Sequence, residues 1–569
     1  MKKVSGGELV AKALVKRGVE YVFGISGGHI VPIQFHLDRL GVKQLTTRHE
    51  QSAVFMAEAW GRMSRRPGVA LVTAGPGFTN ALTAIQNAAL ANSPLLLISG
   101  VVGISMSEKL DLQDMRQLPV IEPIVKKAFV CQKTERIPEF VDMAWRAAST
   151  GRPGPVYLEL PADILNAQVD SNDVNDIHTS VVSRPIDPVA AGKLMEMINS
   201  AERPIVIAGS GAHYSDASME LTTFIENTGI PVFTSTMGRG VIPDTHPLCF
   251  ESSLSIRPGA AFFGTATADL IILLGTRISM YYATGDIFDK AARIVQVDID
   301  PWEIGRNRSI ELGVVSDIKA FLAECNRIID KDKTAFGPQS RFKAWVDTLK
   351  QEEKKGKDLA GLNWESKELP MHPMRLCKEI DTFMDREDDI VIGDGGDTQV
   401  WVGMTRTARK SGYSFDSGLY GCLGVGLPYA NAAKLLHPDK RVLLVIGDGS
   451  TGFNFMEFFT AIRKEIPIVV VINNDCQWGM IRHSQEIKLK EVIDETVNLG
   501  EVHYERLVED LGGKGFFVER PEEMASVLEE AFACGRPACI NVMTDPGPVS
   551  PGSVALAMIG GMTAEEIEG

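Results

Sequence analysis

The sequence has no excess of positive charge. Its 58 Lys and Arg residues are outnumbered by 73 Asp and Glu, for a formal net charge of -15. That balance excludes a nucleic-acid or anionic-membrane partner, because both need a basic face. It also means that a phosphate-bearing ligand would need a cation to hold it. Paired cysteines are missing as well. None of the eight cysteines forms a CxxC pair and most sit in apolar runs, which reads as buried thiols in a reducing compartment. No apolar run reaches the roughly 18 residues of a membrane helix. Met1–Glu8 carries no apolar signal core, and a cytoplasmic protein is expected. Short-period repeats and low-complexity tracts are also lacking.

What is present is a chain of 569 residues, 44% hydrophobic and 23% charged, long enough for three to four domains at roughly 150 residues each. Short apolar runs alternate with Gly-rich turns and helical patterns. Val69–Thr73, Leu95–Ile98 and Pro155–Leu160 belong to a first block. Pro204–Ala208, Val232–Thr234, Leu270–Leu274 and Ile294–Val297 make a second. Ile390–Ile392, Val442–Ile446, Ile468–Ile472 and Ala538–Val542 make a third. Such runs, alternating with helices, predict parallel sheets covered on both faces. The expected fold is α/β, with three doubly wound parallel-sheet domains. The polar stretches Asn166–Pro188 and Asp330–Pro370 separate the blocks as linkers, the second expected to carry a helix. The predicted boundaries are 1–180, 190–330, a linker at 331–364, 365–545, and a tail at 546–569 that is a candidate lid.

The third block holds the strongest motif. The strand Arg441–Ile446 runs into Gly447-Asp448-Gly449-Ser450-Thr451-Gly452, and the strand Ile468–Ile472 ends at Asn473-Asn474-Asp475. Adjacent parallel strands present their carboxyl ends to one crevice. Two oxygen side chains there suit a hard cation such as Mg²⁺, which keeps positions open for diphosphate oxygens. Gly447 and Gly449 allow close backbone approach, and the following helix offers free N–H groups to a phosphate. In the first block, Thr46-Thr47-Arg48-His49-Glu50-Gln51-Ser52 joins a strand end to a helix. Locally, Glu50 is an acid in a first helical turn, where the dipole favours it.

Gly447-Asp448-Gly449 with its trailing Asn/Asp pair resembles the motif of thiamine diphosphate-dependent enzymes. The likeness covers nearly the whole chain. Val22-Phe23-Gly24 to His29, Thr73-Ala74-Gly75-Pro76-Gly77-Phe78-Thr79-Asn80, Gly151-Arg152-Pro153-Gly154-Pro155 and Gly424-Val425-Gly426-Leu427-Pro428 are similar to the acetolactate synthase and benzaldehyde lyase branch, more to the latter. The resemblance implies a metal held by Asp448, Asp475 and the carbonyl of Gln477, chosen from Asn473, Asn474 and Asp475 by family spacing. It places Glu50 against N1′ of the aminopyrimidine, where a carboxyl favours the imino tautomer that takes the thiazolium proton. It sets Leu423, after Gly421, beneath a bent cofactor. Thr73, Gly395, Gly396, Asp397, Gly449 and Ser450 fall at other cofactor positions. Gly28, His29, Gln113 and Met480 fall on the substrate side, with His29 and Gln113 managing protons and oxyanions. Met480 is bulkier than that branch suggests, and Ala162 stands where an aromatic would narrow the pocket. The implied activity is carbon–carbon cleavage or ligation on 2-hydroxy ketones, aldehydes or 2-oxo acids. The implied assembly is a homodimer or homotetramer with sites at subunit interfaces.

Three alternatives stand beside this reading. Gly24-Ile25-Ser26-Gly27-Gly28 fits the nucleophile elbow of a serine hydrolase. Gly209-Ser210-Gly211 and the strand end at Asp298 partly imitate a dinucleotide fold, so FAD is an alternative cofactor that the benzaldehyde lyase likeness disfavours. Acyl-CoA chemistry is a third, against which the tail Pro548–Gly569 counts because it carries no Lys or Arg.

Overall fold

The structure is a computed structural model that describes residues 3–558 apart from 178, 180, 182–185, 187, 253–258 and 332–338. The three apolar blocks form three six-stranded sheets, and every paired strand in them runs parallel. In the first sheet the order is Lys43–Thr46, Tyr21–Gly24, Gly68–Val72, Leu95–Val101, Pro155–Pro161, Lys127–Val130. The second runs Cys249–Ser252, Val232–Thr234, Pro204–Ala208, Leu270–Leu274, Arg293–Asp298, Leu312–Val315. The third runs Ser414–Phe415, Ile390–Asp394, Val442–Gly447, Val469–Asn474, Ala538–Met543, Lys514–Val518. Central strands such as Leu95–Val101 and Leu270–Leu274 are buried along their whole length. Helices cover both faces, which is why these strands read as unbroken apolar runs. A small antiparallel pair, Lys3–Ser5 with Gln168–Asp170, was not legible as strands in the sequence.

The first and third sheets share one core. The helix Glu50–Ser64 is buried nearly all round from Ser52 to Arg62, as expected of a helix enclosed by protein on every side. It packs against Gly426–Leu436, where Phe55 meets Tyr429 edge to face at 6.0 Å. Phe23 and Ala70 of the first sheet and Ile392 and Val470 of the third belong to this same cluster. Inside it, Glu58 accepts from Asn87 Nδ2 at 3.0 Å and Ser93 Oγ at 3.1 Å, with Arg62 at 3.8 Å. These partners make the buried carboxyl tolerable.

The charged stretch expected as a linker with a helix holds the helix Lys343–Trp364. Trp345, Val346 and Leu349 bury against Ile205 and Ile271 of the second sheet, and Trp345 Nε1 donates to Pro204 O at 3.1 Å. Its charged residues, such as Lys350, Lys354 and Lys355, line the solvent side. The stretch after Gly75 forms two helices, Pro76–Thr79 and Leu82–Ala91, rather than one. The tail folds back as the helix Pro551–Met558 onto Gly479–Leu489 and Gly396–Thr405. The end of the expected apolar lid at Ile559, and the acidic residues beyond it, lie outside the described residues.

Candidate active site

Strand register brings the two acidic tips together. Gly447 pairs with Asn473, so Asp448 and Asp475 leave neighbouring strands into one crevice. Asp448 is buried and Asp475 half-buried, and each lies close enough to affect the other's charge. Burial first, and the neighbouring Asp475 second, push the Asp448 carboxyl up to about 8. Burial lifts Asp475 to about 6, although the interaction with Asp448 opposes it. Asp448 Oδ2 is buried with no hydrogen-bond partner. Such an atom is costly in a folded protein unless something cationic belongs there. Among the described residues there is no cluster of three or more His, Cys, Asp or Glu side chains able to hold a metal. Two carboxylates and a main-chain carbonyl instead fit a hard cation whose other ligands come from a bound anion.

The three competing strand-end residues separate cleanly. Asn474 is turned into the sheet, donating to Asn541 Oδ1 at 3.0 Å and Val502 O at 3.2 Å. Asn473 donates to Thr398 Oγ1 at 3.0 Å, and its Oδ1 is a second buried, unpartnered oxygen. Asp475 alone of the three meets Asp448, and Gln477 Nε2 donates to it at 3.3 Å. Gly449 is required by close packing, since a Cβ there would lie 2.5 Å from the Trp478 ring.

Two expected cofactor side chains are engaged within the protein. Ser450 Oγ donates to Asp394 at 2.6 Å and accepts from Gly424 N at 2.8 Å. Burial raises Asp394 to about 6, and the N–H groups of Gly424 and Gly426 oppose that rise. Asp397 is the anchor of the tail: Ser553 Oγ donates to it at 2.6 Å, and Ser550 Oγ donates to it as well. His483 Nδ1 lies 3.1 Å from the same carboxylate, and its Nε2 lies 3.0 Å from Pro546 O. Both partners accept, so both ring nitrogens donate. Hydrogen bonding to Asp397 and Pro546 outweighs burial and raises the imidazole's pKa. What Gly395, Gly396, Asp397 and Ser450 can offer an anion is therefore main-chain N–H rather than side chain. Met480 packs against Gly396 and reaches toward Gly552 of the tail helix. Leu423 is half-buried in the turn that follows the exposed Gly421.

Glu50 opens its helix behind His49, whose Nδ1 accepts from Gln51 N at 3.1 Å. Glu50 Oε2 accepts from Asn80 Nδ2 at 3.0 Å, and the break between the two helices at Asn80 makes this contact reachable. On either side of Glu50 the chain touches the third block: Arg48 N donates to Glu457 Oε1 and Ser52 Oγ to Asn454 Oδ1, both at 2.9 Å. His29 Nδ1 lies 3.2 Å from Thr73 Oγ1. Burial lowers the His29 pKa, against the pull of nearby Asp111. Gly28 faces open space, with nothing within 4 Å of a Cβ placed there. Gln113 is half-buried and holds φ +65°, an uncommon conformation for a residue with a side chain. Its Cβ lies 2.9 Å from where a Cβ on Gly75 would be. The first block therefore gathers Glu50, Thr73, His29 and Gln113 around the Thr73–Gly77 turn, and the third gathers Asp448, Asp475 and Gln477.

The elbow serine does not meet a base. Ser26 Oγ donates to Gln34 Oε1 at 2.8 Å. Beside the second sheet lies a cavity of about 740 Å³ whose walls include Gly209, Gly211, Arg277 and Asp298. Sequence reasoning missed Asn80, Gln117 and His483 as site residues. Asn80 stood inside a quoted motif, but no local spacing pairs it with Glu50. His483 carries a weak signal as the only histidine in its helix.

Comparisons with known proteins agree with this layout. Residues 4–120 match the family model described as thiamine pyrophosphate enzyme, N-terminal TPP binding domain. Residues 191–325 match the central domain of that family, and 394–542 its C-terminal TPP binding domain. A probable acetolactate synthase of Mycobacterium bovis is 32% identical over 550 residues, covering 96% of both chains. The 2-hydroxyacyl-CoA lyase of Arabidopsis thaliana is 30% identical over 560 residues, covering 95% of this chain and 96% of its own. The human 2-hydroxyacyl-CoA lyase 1 is 31% identical over 565 residues, covering 96% and 95%. The chain belongs to the thiamine pyrophosphate enzyme family, and is an enzyme that makes or breaks carbon–carbon bonds with thiamine diphosphate.

Proposed function

We propose that this enzyme is a lyase and carboligase for small 2-hydroxy ketones, aldehydes or 2-oxo acids, with Mg²⁺ as its metal. The observation that carries the metal site is the buried, unpartnered Asp448 Oδ2 beside Asp475. With a divalent cation between them both carboxylates ionise, and the cation neutralises the diphosphate that an acidic chain would otherwise repel. Gln477 would contribute its carbonyl to the metal, and the N–H groups opening the helices after Gly395 and Gly447 would hold the phosphates. Leu423 would support the thiazolium and pyrimidine rings. When bound, thiamine diphosphate supplies a nucleophilic carbon and an electron sink for carbonyl substrates. Glu50, oriented by Asn80, would present its carboxyl to the edge of the aminopyrimidine. His29, kept largely neutral by burial, exchanges protons with the substrate oxygen, and Gln113 donates to that oxygen as charge develops. Gly28 leaves room beside them for the substrate, and Met480 bounds the pocket from the third block.

The two half-sites lie on separate blocks, which meet beside Glu50 where Arg48 donates to Glu457 and Ser52 to Asn454; from the membership of this family we propose that a second copy completes each site. A dimer or tetramer follows. The second reading is acyl-CoA cleavage, favoured by the 2-hydroxyacyl-CoA lyases among the relatives. FAD is left out of the proposal, since the matched family descriptions name thiamine pyrophosphate alone. The deciding assay supplies thiamine diphosphate and Mg²⁺ with pyruvate, benzaldehyde, benzoin, formaldehyde and a 2-hydroxyacyl-CoA in turn. Turnover of pyruvate or benzoin supports the first reading. Turnover of the CoA ester alone replaces it with the second.

A further inference from the structure

We propose that Gln117 is a positioning residue that sets the pose of Gln113 and of the turn facing Glu50; this rests on the reading of Gln113 as substrate-facing. Gln117 is 1% exposed, and its amide is fully used. Its Oε1 accepts from Gly75 N at 2.9 Å. Its Nε2 faces Tyr157 Oη at 2.8 Å, Ser99 Oγ at 3.1 Å and Gly100 O at 3.3 Å. The amide cannot flip, because Gly75 N–H only donates and Gly100 O only accepts.

Each partner leads to a residue of the first half-site. Gly75, at φ +61° and ψ −113°, begins the turn whose Gly77 lies against Glu50. Gly100 is the floor beneath His29, with a Cβ there meeting His29 Cβ at 2.6 Å. Gln117 itself closes the segment that carries Gln113 and Asp111. That segment has positive φ at Glu108, Leu110 and Gln113, and Leu110 and Leu112 are 97% and 77% exposed. Such a segment is anchored by few contacts of its own, and non-glycine residues at positive φ persist only where neighbours hold them. Tyr157 supports Gln117 from behind by donating to Glu159 Oε2 at 2.9 Å. Gln117 touches neither Glu50 nor Gln113 in any of these bonds, so it acts through the backbone it holds.

The test uses Gln117→Met, Gln113→Ala and the double variant as holoenzymes, with two readouts. In Gln117→Met the amide of Gly75 loses its acceptor, and its hydrogen–deuterium exchange should accelerate about tenfold or more. Steady-state kinetics on the substrate turned over in the panel should show kcat falling about tenfold or more in each single variant. Thiamine diphosphate affinity should stay within about threefold. If Gln117 acts through Gln113, the double variant is no slower than the slower single one. Multiplicative losses in the double variant, or unchanged Gly75 exchange, overturn the proposal while Gln113 keeps its role. Wild-type kcat in Gln113→Ala removes that role, and with it the proposal. If Gln117→Met does not fold, Gln117→Glu takes its place. It keeps an acceptor for Gly75, so exchange there stays slow, but it loses the donors to Gly100 and Tyr157, so kcat still falls and stays non-additive with Gln113→Ala. Fast Gly75 exchange or multiplicative losses in that variant also overturn the proposal.

Discussion

Replacing Asp448 by Asn should stabilise the metal-free protein and abolish its response to metal. Asp448 is 2% exposed, and burial beside Asp475 moves its carboxyl from the ordinary 3.8 to about 8. A raised pKa on an acid means that the folded state keeps a proton the unfolded chain has released. The resulting cost is absent below pH 4, grows as pH rises toward 8, and is constant above. At pH 7 the interval from 3.8 is about 3 units, which at about 1.4 kcal/mol each sets a ceiling of about 4 kcal/mol. Asparagine has the same shape and no charge, so it removes that cost. The assay is urea unfolding of chelator-treated protein at pH 4 and at pH 8, with and without Mg²⁺ and thiamine diphosphate. The variant should match wild type at pH 4 and unfold at higher urea at pH 8. Adding metal and cofactor should then raise the wild-type midpoint and leave the variant's in place. Equal stability of the two metal-free proteins at pH 8, or an undiminished metal response in the variant, would refute the reasoning.

Other perturbations separate the roles assigned to neighbouring residues. Glu50→Gln should lower kcat by about 100-fold or more while calorimetric cofactor affinity stays within a few-fold, since the site for the diphosphate is untouched. Gly28→Ala should leave the melting temperature within about 2 °C, because its Cβ enters open space, and should raise KM for bulky donors more than for pyruvate. Ser550→Ala with Ser553→Ala should release the tail helix from Asp397. Hydrogen exchange over 551–558 would show it, and protection equal to wild type would remove Asp397 as the anchor.

The three parallel sheets were legible because strands buried on both faces must be apolar throughout, as Leu270–Leu274 and Val442–Ile446 are. That Asp448 and Asp475 enter one crevice was legible for a related reason: a carboxyl end of a parallel strand has a fixed direction, so the two had to point the same way. Side-chain engagement was not legible. Ser450 was expected at a cofactor position, and nothing local shows that Asp394, more than fifty positions earlier, takes its hydroxyl. Asp397 looked cofactor-facing until the tail returned to it from 153 positions away. A helix was expected within the second linker, but its docking on the second sheet through Trp345, Val346 and Leu349 was not legible behind its charges. Gln117 left no trace at all, since its partners come from two strands and a turn.

The shared interior of the first and third units has a consequence for how the chain can be dissected. Phe55 and Tyr429, nearly four hundred positions apart, are packed like neighbours within one globule. The 190–330 stretch is thus spliced into a body that closes on both sides of it. A fragment ending near 180 would carry the Glu50 helix with half its covering stripped away, and should be recovered as aggregate. Co-expressed with a 365–558 fragment, it should find its missing half and become soluble.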